Sequence, residues 1–299
     1  MRAIACLVIV VSASVAQAQR SLGPYISAEL VASLTGASSA PSEPFTIVGN
    51  LHYVGAANIA SYLVTTPGGH ILIDTGTTQM EKVVRGNIEK LGFTLTDIKI
   101  ILSGHAHFDH VAGHAAMQKA TGARVMAIGD DARALELGQD VSPVETLGWP
   151  PVKVERVLAD GDVVTLGGTT LRAVWTPGHT PGCTTWVTTI QDGGRSYKIV
   201  ILGSIGPNAG PPMVGNPKHP TLAEDTLGTI RKLRALTAPD IQLDGHPQAT
   251  FAGKVDAMKR RVRPHPLLLE PGAWTRMLDE REERFTKRIA ADRARVAPR

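Results

Sequence analysis

The stretch that decides the fold is GHAHFDHVAGH, residues 104–114, which puts four histidines and one aspartate into eleven positions. It follows IKIILSG, an apolar run of buried-strand length, so the cluster stands at a strand's C-terminal end. On an extended strand end, side chains two apart project to the same side. His105 and His107 can therefore reach one ion. Asp109 and His110 come where the chain turns into a helix and face a slightly different point. Adjacent residues serve one small ion poorly, so the spacing itself suggests two metals. Ten histidines among 299 residues would not gather this way by chance, and a buried imidazole cluster with nothing to bind would be costly.

One segment supplies too few ligands for two ions. His179, in VWTPGHTPG, and His246, in IQLDGHP, each sit in a loop just after an apolar strand, where functional side chains concentrate. Zinc takes imidazole nitrogen and carboxylate oxygen where thiolates are absent. The expected assignment is His105, His107 and His179 on one zinc, with Asp109, His110 and His246 on the other. Three protein ligands per Zn2+ leave positions open for water, as catalytic zinc requires. Zinc lowers the pKa of bound water to about 7, so a hydroxide between the two ions would be a nucleophile near neutral pH. Asp109 is expected to orient it. This is metal-assisted hydrolysis.

The other histidines lack this company. His114 follows His110 by four, but the helical protease motif needs Glu directly after its first His, and Val111 stands there. His114 is read as a bystander or at most a support behind the ligands. His52, His70, His219 and His265 are expected at turns or on the surface, His219 near a possible pocket. Cys183, four after His179, is read as a small buried residue.

Outward from the motif, residues 1–18 have the form of a secretory signal: Arg2, a short apolar run, and a small-x-small end at Ala16, Gln17 and Ala18. Cleavage after Ala18 would place the protein in the periplasm or outside the cell. Cys6 would leave with it, so Cys183 would have no disulfide partner. Residues 19–44, rich in Ser, Ala and Pro, are expected to be a loosely ordered leader. Residues 45–299 read as one domain in which strand runs alternate with helices. Expected helices include MEKVVRGNIEKLG and TLAEDTLGTIRKLRAL, the latter opened by a capping box of Thr221 and Glu224. Hairpin turns are expected at Pro67–Gly69, at LGG and at DGG. No later segment is long and apolar enough to span a membrane. The formal charge is +4, and the basic C-terminal run interleaves acids with an apolar stripe of Trp274, Leu278, Phe285 and Ile289. With Arg281 also on that mostly apolar face, this describes a helix docked on a core rather than a nucleic-acid-binding tail.

HAHFDH, with the later GHTPG and DGHP, resembles the metallo-β-lactamase superfamily. The resemblance runs from about Phe45 to the C-terminal helix. It implies an α/β fold, the αβ/βα sandwich of two mixed sheets flanked by helices, with metals at one edge. ILIDTG, with Asp74, looks like that superfamily's supporting turn beneath the ligands. Lactonases, thioesterases and ribonuclease relatives usually carry a bridging Asp where this chain has Ser204. The β-lactamases of subclass B3, with His-His-His and Asp-His-His sites, carry Ser there, and it contacts the substrate carboxylate. NLHYVGAANIASYLVTTPGGHILIDTG and GNPKHPTLAED also resemble that subclass. Two departures stand out: Gly104 where Ser or Thr commonly precedes the first His, and Gly206 where some members have a second Ser. The loop at 140–152, with Trp149, is expected to form one pocket wall. The expected protein is an exported, monomeric β-lactamase with two Zn2+ and a role in antibiotic resistance. Its partner is a small-molecule substrate, not nucleic acid. The alternatives are a related di-metal lactonase or thioesterase, and an exported non-catalytic zinc-binding protein.

Overall fold

A seven-stranded and a five-stranded sheet stack face to face in the computed structural model, which describes residues 23–297. The expected signal segment, 1–18, lies outside the described residues. The first sheet runs in chain order through β1 (Phe45–Val48), β2 (Leu51–Tyr53), β3 (Tyr62–Thr66), β4 (Gly69–Ile73), β5 (Ile98–Leu102), β6 (Arg124–Ile128) and β7 (Val154–Leu158). Strands β1 to β4 are antiparallel; tight turns join β1 to β2 and, as expected, β3 to β4, and a longer loop over 54–61 joins β2 to β3. From β4 onward the pairing is parallel. Parallel neighbours need crossovers, and the chain supplies them as α2 (Glu81–Lys90) before β5, the pair α3 (Phe108–Val111) and α4 (His114–Thr121) before β6, and α5 (Gly129–Leu137) before β7.

The second sheet has the order β12-β11-β10-β9-β8. Strands β8 (Val163–Leu166), β9 (Thr169–Trp175), β10 (Thr184–Asp192) and β11 (Arg195–Ile201) form an antiparallel meander whose turns fall at the expected LGG and DGG. After α6 (Leu222–Arg234), β12 (Ile241–Leu243) adds parallel to β11. Short helices α7 (Gln248–Phe251) and α8 (Val255–Lys259) precede the long α9 (Ala273–Val296).

The apolar side chains divide into three clusters that match the interfaces of four layers. Tyr62, Ile73, Leu102, Trp186 and Ile199 lie between the sheets. Leu72, Val84, Ile101, Met117 and Leu135 join the first sheet to its helices. Val200, Ile230, Trp274, Leu278, Phe285 and Ile289 join the second sheet to α6 and α9. The C-terminal apolar stripe thus docks as its spacing predicts.

The sequence reading needs three corrections here. The leader is not loosely ordered throughout: Ser27 caps α1 (Ala28–Thr35) by accepting from the Leu30 amide, and Pro41 bridges to Ala56. The capping box at Thr221 does not form. The Thr221 hydroxyl donates instead to Asp225, four residues on. His52, His70 and His265 are buried rather than at the surface. His52 bridges the Thr46 and Thr65 hydroxyls across the sheet, and His265 donates to the Ile47 carbonyl.

The sheets are pinned together directly beneath the histidine motif. The Trp186 indole in β10 donates to the Ser103 carbonyl at 3.0 Å, and the Thr184 amide donates to the Gly104 carbonyl at 2.7 Å. Both carbonyls close β5. Replacing Trp186 with Phe would orphan a buried acceptor, at a cost of about 2 kcal/mol. Urea unfolding of Trp186→Phe should show a lower midpoint of that size with an unchanged slope.

Candidate metal centre

Four chain segments end at one edge of the sandwich: the turn after β5, the β9–β10 loop, the segment after β11 and the loop after β12. Because β11 and β12 are parallel, their C-terminal ends deliver Ser204 and His246 to the same side. The geometry brings all six candidate ligands together as two trios. His105, His107 and His179 form one, and Asp109, His110 and His246 the other, with ligand atoms in each lying within 4.8 Å of one another. The trios adjoin: the His105 and His110 ring centres are 4.1 Å apart.

The second trio fits a metal closely. Asp109 Oδ2 stands 3.4 Å from both His110 Nε2 and His246 Nε2, and those two nitrogens are 3.4 Å from each other. Bonds of about 2.0–2.1 Å at tetrahedral angles place ligand atoms about 3.3 Å apart. The cluster also demands positive charge. Burial opposes protonation of His110, but the Asp109 and Asp74 carboxylates outweigh it and lift its pKa to about 10.

The first trio fits for a different reason. Both ring nitrogens of His105 and Nε2 of His107 are buried without a hydrogen-bond partner. Leaving such groups unpaired costs about 1–3 kcal/mol each, and ligation would relieve one nitrogen of each ring. Burial, with the neighbouring imidazoles, holds His105 and His179 well below the usual histidine range. They are neutral, as ligands must be.

In His179 and His246 the other ring nitrogen is already engaged, which fixes what each presents. His179 Nδ1 donates to the Gly206 carbonyl at 3.0 Å, and His246 Nδ1 to the Asn58 carbonyl at 2.9 Å. Nε2 is left to face the site in both, the usual arrangement behind a metal-bound imidazole.

Two carboxylates hold the loops. Asp74, at φ 59°, accepts from the Gly104 amide at 2.7 Å and lies 3.3 Å from His110 Nδ1. The departure to glycine at 104 therefore leaves the amide's role intact. Asp131, in α5, accepts from the Ala106 amide at 2.8 Å, the Gly182 amide at 2.7 Å and the Thr180 hydroxyl at 2.6 Å. Burial lifts its pKa to about 6 against those three donors. Sequence reading missed Asp131, which sits in an ordinary helical pattern. It missed Asp140 as well, which stands 3.8 Å from His107 and anchors the 140–146 turn through Ser142 and Thr146.

His114 belongs to neither trio. Its Nδ1 pairs with the Thr75 hydroxyl at 2.8 Å and its Nε2 with the Ser103 hydroxyl at 2.9 Å. Burial and the nearby His110 push its pKa down to about 3. Cys183 is buried, its thiol 3.7 Å from the Ser204 carbonyl. His219 lines a separate cavity with Lys218, Trp175 and Leu222 that contains none of the ligands.

The trios open into a cavity of about 550 Å³ lined by Ser204, Asn58, Asp244 and Arg281. The expected Trp149 wall is not there. Trp149 packs in the core against the first sheet, and its loop offers only Thr146 to the cavity. The wall comes instead from the leader, where Ile26, Leu30 and Leu34 of the α1 region face the site. At Gly206, with φ 69°, an added Cβ would stand 2.4 Å from the Phe285 ring.

Residues 54–246 match the sequence profile of the Metallo-beta-lactamase superfamily. Among solved structures, BJP-1, a subclass B3 metallo-beta-lactamase of Bradyrhizobium japonicum, is 38% identical, with a TM-score of 0.78 over 87% of this chain and 98% of that one. Native FEZ-1 metallo-beta-lactamase from Legionella gormanii is 35% identical, with a TM-score of 0.78 over 85% and 98%. MEM-A1, a subclass B3 enzyme from a soil metagenome library, is 31% identical, with a TM-score of 0.77 over 86% and 99%. A probable metallo-hydrolase of Burkholderia pseudomallei is 54% identical over 35 residues, so this chain covers 12% of that relative's length.

Two substitutions separate ligand support from plain packing. Asp74→Asn keeps a residue that tolerates positive φ but removes the charge beneath His110. Metal retention against a competing chelator should weaken about 10- to 100-fold, with the fold preserved by circular dichroism. His114→Ala should leave metal content unchanged and lower unfolding stability by about 2–3 kcal/mol, since two hydroxyls lose their partner and a cavity opens.

Proposed function

The chain belongs to the metallo-beta-lactamase superfamily, and from that premise we propose that it is a di-zinc hydrolase that opens the amide of β-lactam antibiotics. The observation that carries the reading is the pairing of two ligand trios in one cavity with Ser204 on its wall. His105, His107 and His179 would hold one zinc, and Asp109, His110 and His246 the other. Zinc in these positions supplies a water that ionises at about pH 7 and an electrophile for a carbonyl oxygen.

The chain's own residues do the rest. Asp109 accepts a hydrogen bond from the attacking water and so orients it toward the carbonyl. Water adds across the C–N bond: the acyl carbon becomes a carboxylate and the departing nitrogen takes the proton. His179 and His246 keep their rings fixed through the Gly206 and Asn58 carbonyls, so no reorientation is needed as charge develops. The Ser204 hydroxyl donates to the carboxylate that β-lactams carry beside the ring. Ile26, Leu30 and Leu34 give the substrate an apolar wall and limit competing solvent.

Ser204 also argues against the lactonase and thioesterase readings, whose resemblance would call for an Asp there. Among the described residues no helix is long and apolar enough to cross a membrane. The signal-like first 18 residues support export to the periplasm or beyond, where β-lactams act and where resistance would be conferred. We take the working unit to be the monomer, since the cavity and both trios are complete within one chain.

The mature protein should hydrolyse at least one of a penicillin, a cephalosporin and a carbapenem, and a chelator should abolish the turnover. Absence of chelator-sensitive turnover for all three would remove the lactamase reading, and turnover of a lactone or thioester instead would install the alternative. Metal analysis should return two zinc ions per chain. Ser204→Ala should raise KM about tenfold with little change in kcat, as loss of a hydrogen bond to a charged group in the bound state requires.

A further inference from the structure

Behind the segment that follows β11 lies a second cavity, of about 530 Å³, whose wall on α9 is built from arginines. Arg281, Arg284 and Arg288 are spaced i, i+3 and i+7, so they share one face of the helix. Arg281 and Arg288 fall within the inward stripe of Leu278, Phe285 and Ile289, where a helix with a purely structural role would place apolar side chains. Among the described residues none of the three makes an ion pair. Arg288 donates to the carbonyls of Asn208, at 3.0 Å, and Pro211, which secures the strap 204–211 over the cavity. Arg284 lies over the Phe285 ring. Arg281 has no hydrogen-bond partner among the described residues.

The cavity's single lining carboxylate, Asp292, is already engaged by the Met213 amide at 2.7 Å and by Arg295 at 3.1 Å. Positive charge in this cavity is therefore in excess. Burial, reinforced by Arg281 and Arg288, pulls Arg284 below its ordinary value, and burial does the same to Arg288 against the pull of Asp292. Clustered guanidiniums, Arg281 and Arg288 half-buried and Arg284 exposed at the mouth, favour an oxyanion, which they bind in a bidentate fashion. The two cavities adjoin: Ser204, Ile205, Asn208 and Arg281 line both.

We propose that this arginine-lined cavity is an anion subsite adjoining the metal cavity, which takes a second carboxylate, sulfonate or phosphate-like group. Where that group is carried on the substrate, the subsite favours dianionic β-lactams over monoanionic ones. The substrate part of the proposal rests on the β-lactamase reading. The anion-binding part does not.

The test uses the zinc-loaded protein and a penicillin with a phenylacetyl side chain beside its α-carboxy analogue, which differ by one carboxylate. Wild type should show a KM about three- to tenfold lower for the dianionic compound, and the ratio should shrink as salt rises. In Arg284→Gln the ratio should fall toward one, and in Arg284→Glu it should invert. Circular dichroism and zinc content check that both variants are folded. An equal rise in KM for both compounds would mark Arg284 as structural and overturn the proposal. In parallel, inorganic sulfate is titrated by calorimetry into wild type and Arg284→Glu. If the substrate ratio is one in wild type but sulfate affinity depends on Arg284, the subsite serves a free anion. If neither depends on Arg284, there is no subsite. Should neither penicillin turn over, the β-lactamase reading fails and the sulfate titration alone decides the subsite.

Discussion

The site depends first on the carboxylate of Asp131. It is buried, yet three donors from two distant loops converge on it. One donor is the Ala106 amide, between His105 and His107. The other two, Thr180 and Gly182, follow His179 in its loop. The first sheet delivers the former and the second sheet the latter, and only a fixed link between those loops lets three imidazoles from two sheets converge on one point. Burial penalises the charge on Asp131, and the three donors offset that penalty. The three imidazoles are thus held in place by hydrogen bonds between the two loops, and the ring nitrogens of His105 have no protein partner.

The candidate ligands were legible in the sequence because chemistry and periodicity coincide there. A strand-length apolar run ends in alternating histidines, and the later loops each present one histidine after a strand. The layers were legible for the same reason, since apolar runs at period two or near four mark the faces that must be covered. Asp131 was not legible. In DDARALELG it reads as one of a pair of acids in the first turn of a helix, and nothing local says that this one points inward and its neighbour outward.

Other misses have the same origin in register. His52 carries no ligand companions in the sequence, yet the pairing of β1, β2 and β3 puts threonines on both sides of its ring. The leader's Ser- and Ala-rich composition hides the few apolar residues, Ile26, Leu30 and Leu34, that helical spacing turns toward the cavity. The loop at 140–152, with Trp149, was expected to form a pocket wall. The loop 138–152 instead folds its aromatic inward and turns Thr146 out.

The contact between Gly206 and Phe285 reaches beyond packing. The Gly206 carbonyl sets the tautomer of His179, and the Phe285 ring occupies the space that any side chain at 206 would need. Position 206 is thus locked against diversification for as long as Phe285 stands opposite it. A lineage under pressure to accept new substrates could not explore this part of the strap by single substitutions. It would first have to shrink an aromatic on α9, nearly eighty residues away in sequence, and bear that loss of packing before any gain. Sequence variation should therefore accumulate on the arginine face of α9 sooner than on the strap it supports, which makes the C-terminal helix the open route for drift in specificity.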